Sequence, residues 1–154
     1  MKKRIRIVAA TLALAMGLMA CGASGAKEVD AQALAQSLIS EITYAEVPAQ
    51  ISAEDIENYI MVEEGVEGIM YMTSGASAEE VAVFTAPDEE TAITMKENVE
   101  VFLEEQSMAM AAYEPASVER IKNAVVEQNG KYVVLCVSDE TDKAQEIIKE
   151  AFGK

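Results

Sequence analysis

Residues 124–138 read AVVEQNGKYVVLCVS, and this stretch decides the fold. Val125-Val126 and the run from Tyr132 to Val137 are β-branched, aromatic and apolar, the composition of strands. Between them lies Asn129-Gly130, a strong short signal for a hairpin, because a tight turn needs positive φ and these residues supply it. Strands are predicted over 124–128 and 131–138. In the second, Val133, Leu135 and Val137 share one face while Tyr132, Val134 and Cys136 share the other. Both faces are apolar. A sheet wetted on one side should alternate apolar and polar residues, so this one needs a cover on each side.

Working toward the N-terminus, the same pattern recurs. Gly68 to Thr73 is strand-like, Ser74-Gly75-Ala76-Ser77 makes a turn, and Glu80 to Thr85 is the return strand, again apolar on both faces. Pro87-Asp88 opens a long helix running to about Ala112. Its Ala92, Met95, Val99, Phe102, Leu103, Gln106, Met110 and Tyr113 fall within about 100° of arc, a buried stripe broken only by Gln106. Pro115 ends that helix, and residues 116–122 suit one or two helical turns. Downstream, Asp139-Glu140 caps a last helix with Ala144, Ile147, Ile148, Ala151 and Phe152 on one side. Upstream, Asp30 caps a helix over 30–42, and Ser52 caps a short one whose apolar side is Ile56 and Tyr59-Ile60.

The fold class that follows is α+β. Two hairpin–helix units form a four-stranded antiparallel sheet with both long helices on one face, preceded by N-terminal helices. At an offset of 52 residues the units align Val81 with Val133, Val83 with Leu135 and Ala92 with Ala144, which fits a duplication or a pattern common to any strand–helix pair. The second sheet face, taken to carry Phe84, Tyr132 and Val134, is expected to lie under the 30–42 helix. Left bare, it would be a surface for a partner or a second copy.

The first thirty residues give an address. Lys2-Lys3-Arg4-Ile5-Arg6 precedes an uncharged run from Ile7 to Ala20 that ends Leu18-Met19-Ala20-Cys21-Gly22. A basic start, a short apolar core and a small residue before the cut make a signal peptide. Fourteen residues at about 1.5 Å each fall short of a ~30 Å hydrocarbon core. Leu18, Ala20 and Cys21 fit a bacterial lipobox, with lipid attached to Cys21 and the chain held on the outer face of the cell membrane. A single acyl chain holds weakly and two hold stably. The expected organisation is a signal over 1–20, a lipid-anchored tether over 21–29 and one α+β domain over 30–154. With Cys21 acylated, Cys136 is the only remaining thiol and no intramolecular disulfide forms.

The full chain has 12 basic and 27 acidic residues, and four of the basic ones lie in residues 2–6, so the processed chain carries a net charge of −19. No basic patch exists for nucleic acid, which is excluded as a partner.

Ser74 to Phe84, then Tyr113-Glu114-Pro115, Asn123-Ala124, Gly130-Lys131-Tyr132-Val133 and Ser138-Asp139 resemble, in order, a family of Gram-positive lipoproteins known as domain of unknown function 4358. The resemblance covers roughly residues 30–152, most strongly 68–152. It implies the same address and extent, and no activity or cofactor comes with it. Between Ile42 and Ser52 the connection is shorter than the family's usual form.

The chemistry-bearing residues point away from catalysis. The sequence has no His, which removes Ser/His and Cys/His nucleophiles and imidazole metal sites. Cys136 lies mid-strand between apolar neighbours, where a thiol is inert. The pairs Glu63-Glu64, Glu79-Glu80, Glu89-Glu90 and Glu104-Glu105 suit solvated faces better than an acid–base site, which needs carboxylates across a cleft. Met70-Tyr71-Met72 and Met108-Ala109-Met110 suit core packing better than soft-metal binding. Ser74-Gly75 lacks the Lys and the strand-to-helix context of a phosphate loop and stands as a weak ligand-contact site. The leading expectation is a non-enzymatic, membrane-anchored interaction module without a cofactor. A small-solute or cation-binding lipoprotein serving a transporter is the alternative, and a carboxylate hydrolase using Glu79 and Glu80 ranks last.

Overall fold

The computed structural model describes residues 27–75, 77–112 and 114–154. The signal segment, Cys21 and Tyr113 lie outside them. Helix α1 (Ala31–Glu41) starts where the Asp30 carboxylate accepts the Ala33 N–H at 2.9 Å, and it buries Leu34, Ala35 and Leu38. Strand β1 (Ala49–Gln50) and α2 (Ala53–Ile56) follow, the latter capped by Ser52. Strands β2 (Glu67–Met72) and β3 (Glu80–Thr85) lead into the 22-residue α3 (Glu89–Met110), capped by Asp88. Then come α4 (Pro115–Lys122), β4 (Val125–Asn129), β5 (Tyr132–Val137) and α5 (Thr141–Phe152).

The sheet is antiparallel with the order β1-β2-β3-β5-β4. It has five strands, not the four expected. The extra one, β1, is two residues long and too short to show any alternation. Every residue of β5 is buried, as is every residue of β3 except Thr85. Ala82, Phe84, Val133, Leu135 and Val137 pack toward α2, α3 and α4. Val81, Val83, Tyr132, Val134 and Cys136 pack toward α1 and α5.

The long helices α3 and α5 therefore lie on opposite faces, against the expectation of one shared face. The reason is coverage. A helix about 10 Å across spans roughly two strand spacings of ~4.8 Å. α1 covers part of its face, as expected, but cannot cover four strands, and α5 completes the layer with Ala144, Ile148 and Phe152.

Register corrects two more details. Phe84 stands opposite Val133, and Val83 opposite Val134. Directly paired residues share a face, so Phe84 lies on the other side of the sheet from Tyr132 and Val134. Asn129 pairs with Tyr132, so the turn residues are Gly130-Lys131, with Gly130 at φ 55°. Gly at the first central position is what a type II′ turn requires.

The placement of the helices also excludes a duplication related by rotation. Superposing the first unit on the second must reverse both strand direction and sheet face. Such a rotation preserves the lateral sense and would put β4 on the β3 side of β5, whereas it lies on the other side. The offset-52 match is a shared hydrophobic pattern.

Candidate functional site

Glu79 and Glu80 are both 1 % exposed, and they leave the chain in opposite directions. The Glu79 carboxylate accepts the Ala45 N–H at 3.0 and 3.1 Å, the Glu46 N–H at 3.4 Å and the Ser77 hydroxyl at 3.0 Å. Arg120 of α4 stands 3.9 Å from it, donates to the Ser77 carbonyl, and grips Asp139 through two bonds of 2.9 Å. Those bonds hold the Asp139 carboxyl below its ordinary range. Asp139 is thus a partner of Arg120, and α5 starts without a side-chain cap bond. The result is a bolt that fastens residues 45–46 to the β2–β3 loop.

Glu80 points instead to α3, where Gln106 Nε2 donates to its Oε2 at 3.2 Å. Burial pushes its carboxyl up to about 8, and the Gln106 bond opposes this only in part. At neutral pH Glu80 is a neutral acid. Its Oε1 and Gln106 Oε1 are both buried without a partner among the described residues. A proton on Glu80 supplies the donor that both oxygens lack, closing an acid–amide pair. Gln106, the one polar break in the α3 stripe, is there to meet a buried carboxyl. The two carboxylates serve different faces of the sheet and cannot act together on one substrate.

Cys136 is 1 % exposed, and burial pushes its thiol up to about 11. Its Sγ lies 3.8 Å from the Tyr44 hydroxyl, which donates to the Leu38 carbonyl, and burial pushes the Tyr44 phenol up as well. Neither group is poised to ionise. Met70 is buried, Met72 half-buried and Met108 exposed. Among the described residues, no three carboxylates or thiols gather as a metal site.

The bolt positions a groove at the edge of the sheet. Beyond Glu46 the chain exposes Val47 (73 %), passes through buried Pro48 and enters β1 at the edge of the sheet. Because α2 ends at Ile56, Tyr59 does not join an apolar helix side; it swings outward and is 49 % exposed. These residues, with Glu46, Met72, Ser74 and Gly75, line a groove of about 340 Å³. Ser74 Oγ donates to Glu46 Oε2 at 2.8 Å across its rim, and Gly75 has φ 97° with no heavy atom near the position of a Cβ. Other grooves among the described residues include one of about 390 Å³ between α1 and α5 and one of about 400 Å³ between α3 and α4.

Of the residues read as candidates, Ser74 and Gly75 belong to the β1-edge groove. Phe84, Tyr132 and Val134 are 0, 3 and 0 % exposed, on two different faces, and form no surface. Cys21 lies outside the described residues. Val47 and Tyr59 escape a reading of the sequence because their exposure depends on where α2 stops. Pro48 ahead of a strand too short to be seen is the only local sign.

The last residues of the expected tether lie on the domain. Val29 N–H donates to the Tyr132 hydroxyl at 3.2 Å, and Glu28 pairs with Lys131 at 2.9 Å. The register puts Tyr132 level with Thr85 at one end of the strands, and Met72, Glu80 and Val137 at the other. The Ser74-Gly75 rim is at that other end. Among the described residues, no helix is long and apolar enough to cross a membrane.

A model of the family described as "Domain of unknown function (DUF4358)" matches residues 46–138. The match spans every strand together with α2, α3 and α4, and stops short of α1 and α5, a narrower extent than 30–152. No curated protein and no solved structure gives a match.

Proposed function

The chain belongs to the DUF4358 family, and from that premise we propose that it is a membrane-anchored extracytoplasmic lipoprotein, not an enzyme, that binds a partner protein through the groove at the β1 edge. The lipobox reading at Leu18 to Cys21 supplies the address. The observation that carries the binding role is the groove itself: exposed Val47 and Tyr59 beside an edge strand, held in place by the buried Glu79 bolt. Exposed apolar groups gathered on a rigid support mark interaction sites.

Orientation supports the reading. From Cys21 to Lys27 is six residues, at most about 20 Å of extended chain, and Val29 is already fixed at the Tyr132 end of the sheet. The lipid then holds that end near the membrane. The groove lies about 17 Å further along the six-residue strands, facing away from the lipid.

A photo-crosslinking residue at position 47 in intact cells is expected to give one discrete heavier species, with none from a control at exposed Glu146 on α5. Mass spectrometry of the same product is expected to show fatty acid on Cys21. Equal adducts at both positions, or none at 47, refute the binding role. A mature N-terminus without lipid refutes the address.

A further inference from the structure

We propose that the groove takes an extended, cationic polypeptide segment that adds to the edge of β1, and that it does not take a second copy of this chain. The inference rests on the partner-binding reading above and names the chemistry of the partner.

Geometry sets how such a segment pairs. Gln50 stands opposite Tyr71, and the Ile51 N–H donates to the Met70 carbonyl at 3.0 Å. In an antiparallel ladder this makes Gln50–Tyr71 a non-hydrogen-bonded pair, so the Gln50 N–H and C=O point away from β2, toward the open edge. The Gln50 side chain does not cover them, because its Oε1 accepts from the Tyr71 hydroxyl at 3.3 Å. Two residues earlier, Pro48 has no N–H to offer. The edge therefore presents one complete donor–acceptor pair, centred on Gln50, beside the apolar wall of Val47 and Tyr59. Strand addition draws affinity from main-chain bonds and specificity from side-chain pockets. A short edge ended by Pro is also a guard against indiscriminate pairing, so the groove must select the segment.

Charge says which segment. Between Lys27 and Lys96 the chain has no Lys or Arg and fifteen Asp and Glu. This stretch contains β1, α2, β2 and the whole groove lining. Glu46 lines the groove, and Glu54, Asp55 and Glu57 stand exposed on and just beyond α2. Arg120, the cation bound to the β2–β3 loop, is already held by Asp139 and Glu79. A second copy would bring the same uncompensated charge to the same edge, and like charge juxtaposed disfavours the pairing. A segment carrying Lys or Arg on alternate positions meets the carboxylates while its other side chains enter the groove.

The test uses the full chain in detergent micelles and three capped heptapeptides: alternating Lys and Val, alternating Glu and Val, and the Lys–Val peptide with alternate backbone nitrogens methylated. NMR shift changes from the Lys–Val peptide are expected at residues 49–51, Tyr59 and Ser74, with binding roughly tenfold weaker in 0.5 M than in 0.05 M salt as screening shortens. The methylated peptide, equal in charge but unable to pair, is expected to bind at least tenfold more weakly. Gln50→Pro, which removes the outward N–H together with the side-chain bond to Tyr71, is expected to match that loss, whereas Gln50→Ala, which loses the side-chain bond and keeps the N–H, is expected to bind the Lys–Val peptide as the wild type does. Equal binding of the methylated peptide, shifts scattered over the acidic face of α3, equal binding of the Glu peptide, or self-pairing at the edge would each overturn the proposal. If position 47 still crosslinks a partner in cells while the Lys–Val peptide fails, this inference falls and the partner-binding reading stands. If both fail, both fall.

Discussion

Replacing Glu80 by Gln should stabilise the fold, and by an amount that grows with pH. The folded state holds the Glu80 proton up to about pH 8, whereas an exposed carboxyl releases it near 4.5. Below 4.5 both states carry the proton and the group makes no difference to pH dependence. Between 4.5 and about 8 the unfolded chain has released the proton and the folded chain has not, so each rise of one pH unit removes about 1.4 kcal/mol of stability. By pH 7 the loss is about 3 kcal/mol, and above pH 8 it levels off near 5 kcal/mol. The amide of the Glu80→Gln variant has nothing to ionise. Its N–H donates where the acid proton did, and its carbonyl still accepts from Gln106, so the buried pair survives. Urea unfolding of wild type and Glu80→Gln, followed by circular dichroism from pH 5 to 9, measures the difference directly. Other titrating groups act on both proteins and cancel. The two stabilities should converge near pH 5 and separate at about 1.4 kcal/mol per unit until pH 8. Parallel curves, or a variant less stable at pH 8, would refute the neutral acid–amide pair.

Gly68→Ala should cost about 1–3 kcal/mol, because a Cβ there would meet the Phe84 ring at 3.0 Å and Ile56 Cδ1 at 3.1 Å; a melting temperature lowered by several degrees checks it. Glu79→Ala should cost about 3 kcal/mol, since it leaves the Ala45 and Glu46 N–H groups without their acceptor and Arg120 with one carboxylate fewer; hydrogen exchange at Ala45 should accelerate well beyond exchange in β5. The Cys136 thiol should resist iodoacetamide at pH 8 in the folded protein, as burial holds it up to about 11, and react once the chain is unfolded in urea. Fast labelling of the folded form would show a thiol less enclosed than the sheet makes it.

What the sequence makes legible is what short-range physics controls. Asp30, Ser52 and Asp88 cap helices because a carboxylate or hydroxyl needs only an N–H two or three residues ahead. Strands β2 to β5 are readable because runs such as Tyr132 to Val137 have no other stable use. The need for a cover on both faces is readable from one strand alone. Which helix goes to which face is not. Ala144, Ile148 and Phe152 make the same amphipathic stripe on either side of a sheet, and only the space that α1 leaves uncovered decides between them. The expected place of Phe84 is wrong for a related reason, since the pairing of β3 with β5 is fixed by register and not by composition.

The site follows the same division. Ser74 and Gly75 announce a turn, and the turn forms one rim of the groove. The rest of it depends on contacts between residues far apart in the chain. Glu79 reads as half of a solvated acidic pair, because nothing in its neighbours shows that Ala45 and Glu46, more than thirty residues away, will turn their N–H groups toward it. A carboxylate that accepts this many bonds is held inside, and whatever it holds is held with it. Val47, exposed, follows directly on the two residues whose N–H groups Glu79 holds. The bolt fixes the chain immediately before Val47 while Val47 itself stays in water, and an apolar residue held exposed beside an open strand edge is why the groove at the β1 edge is the one proposed to take the partner.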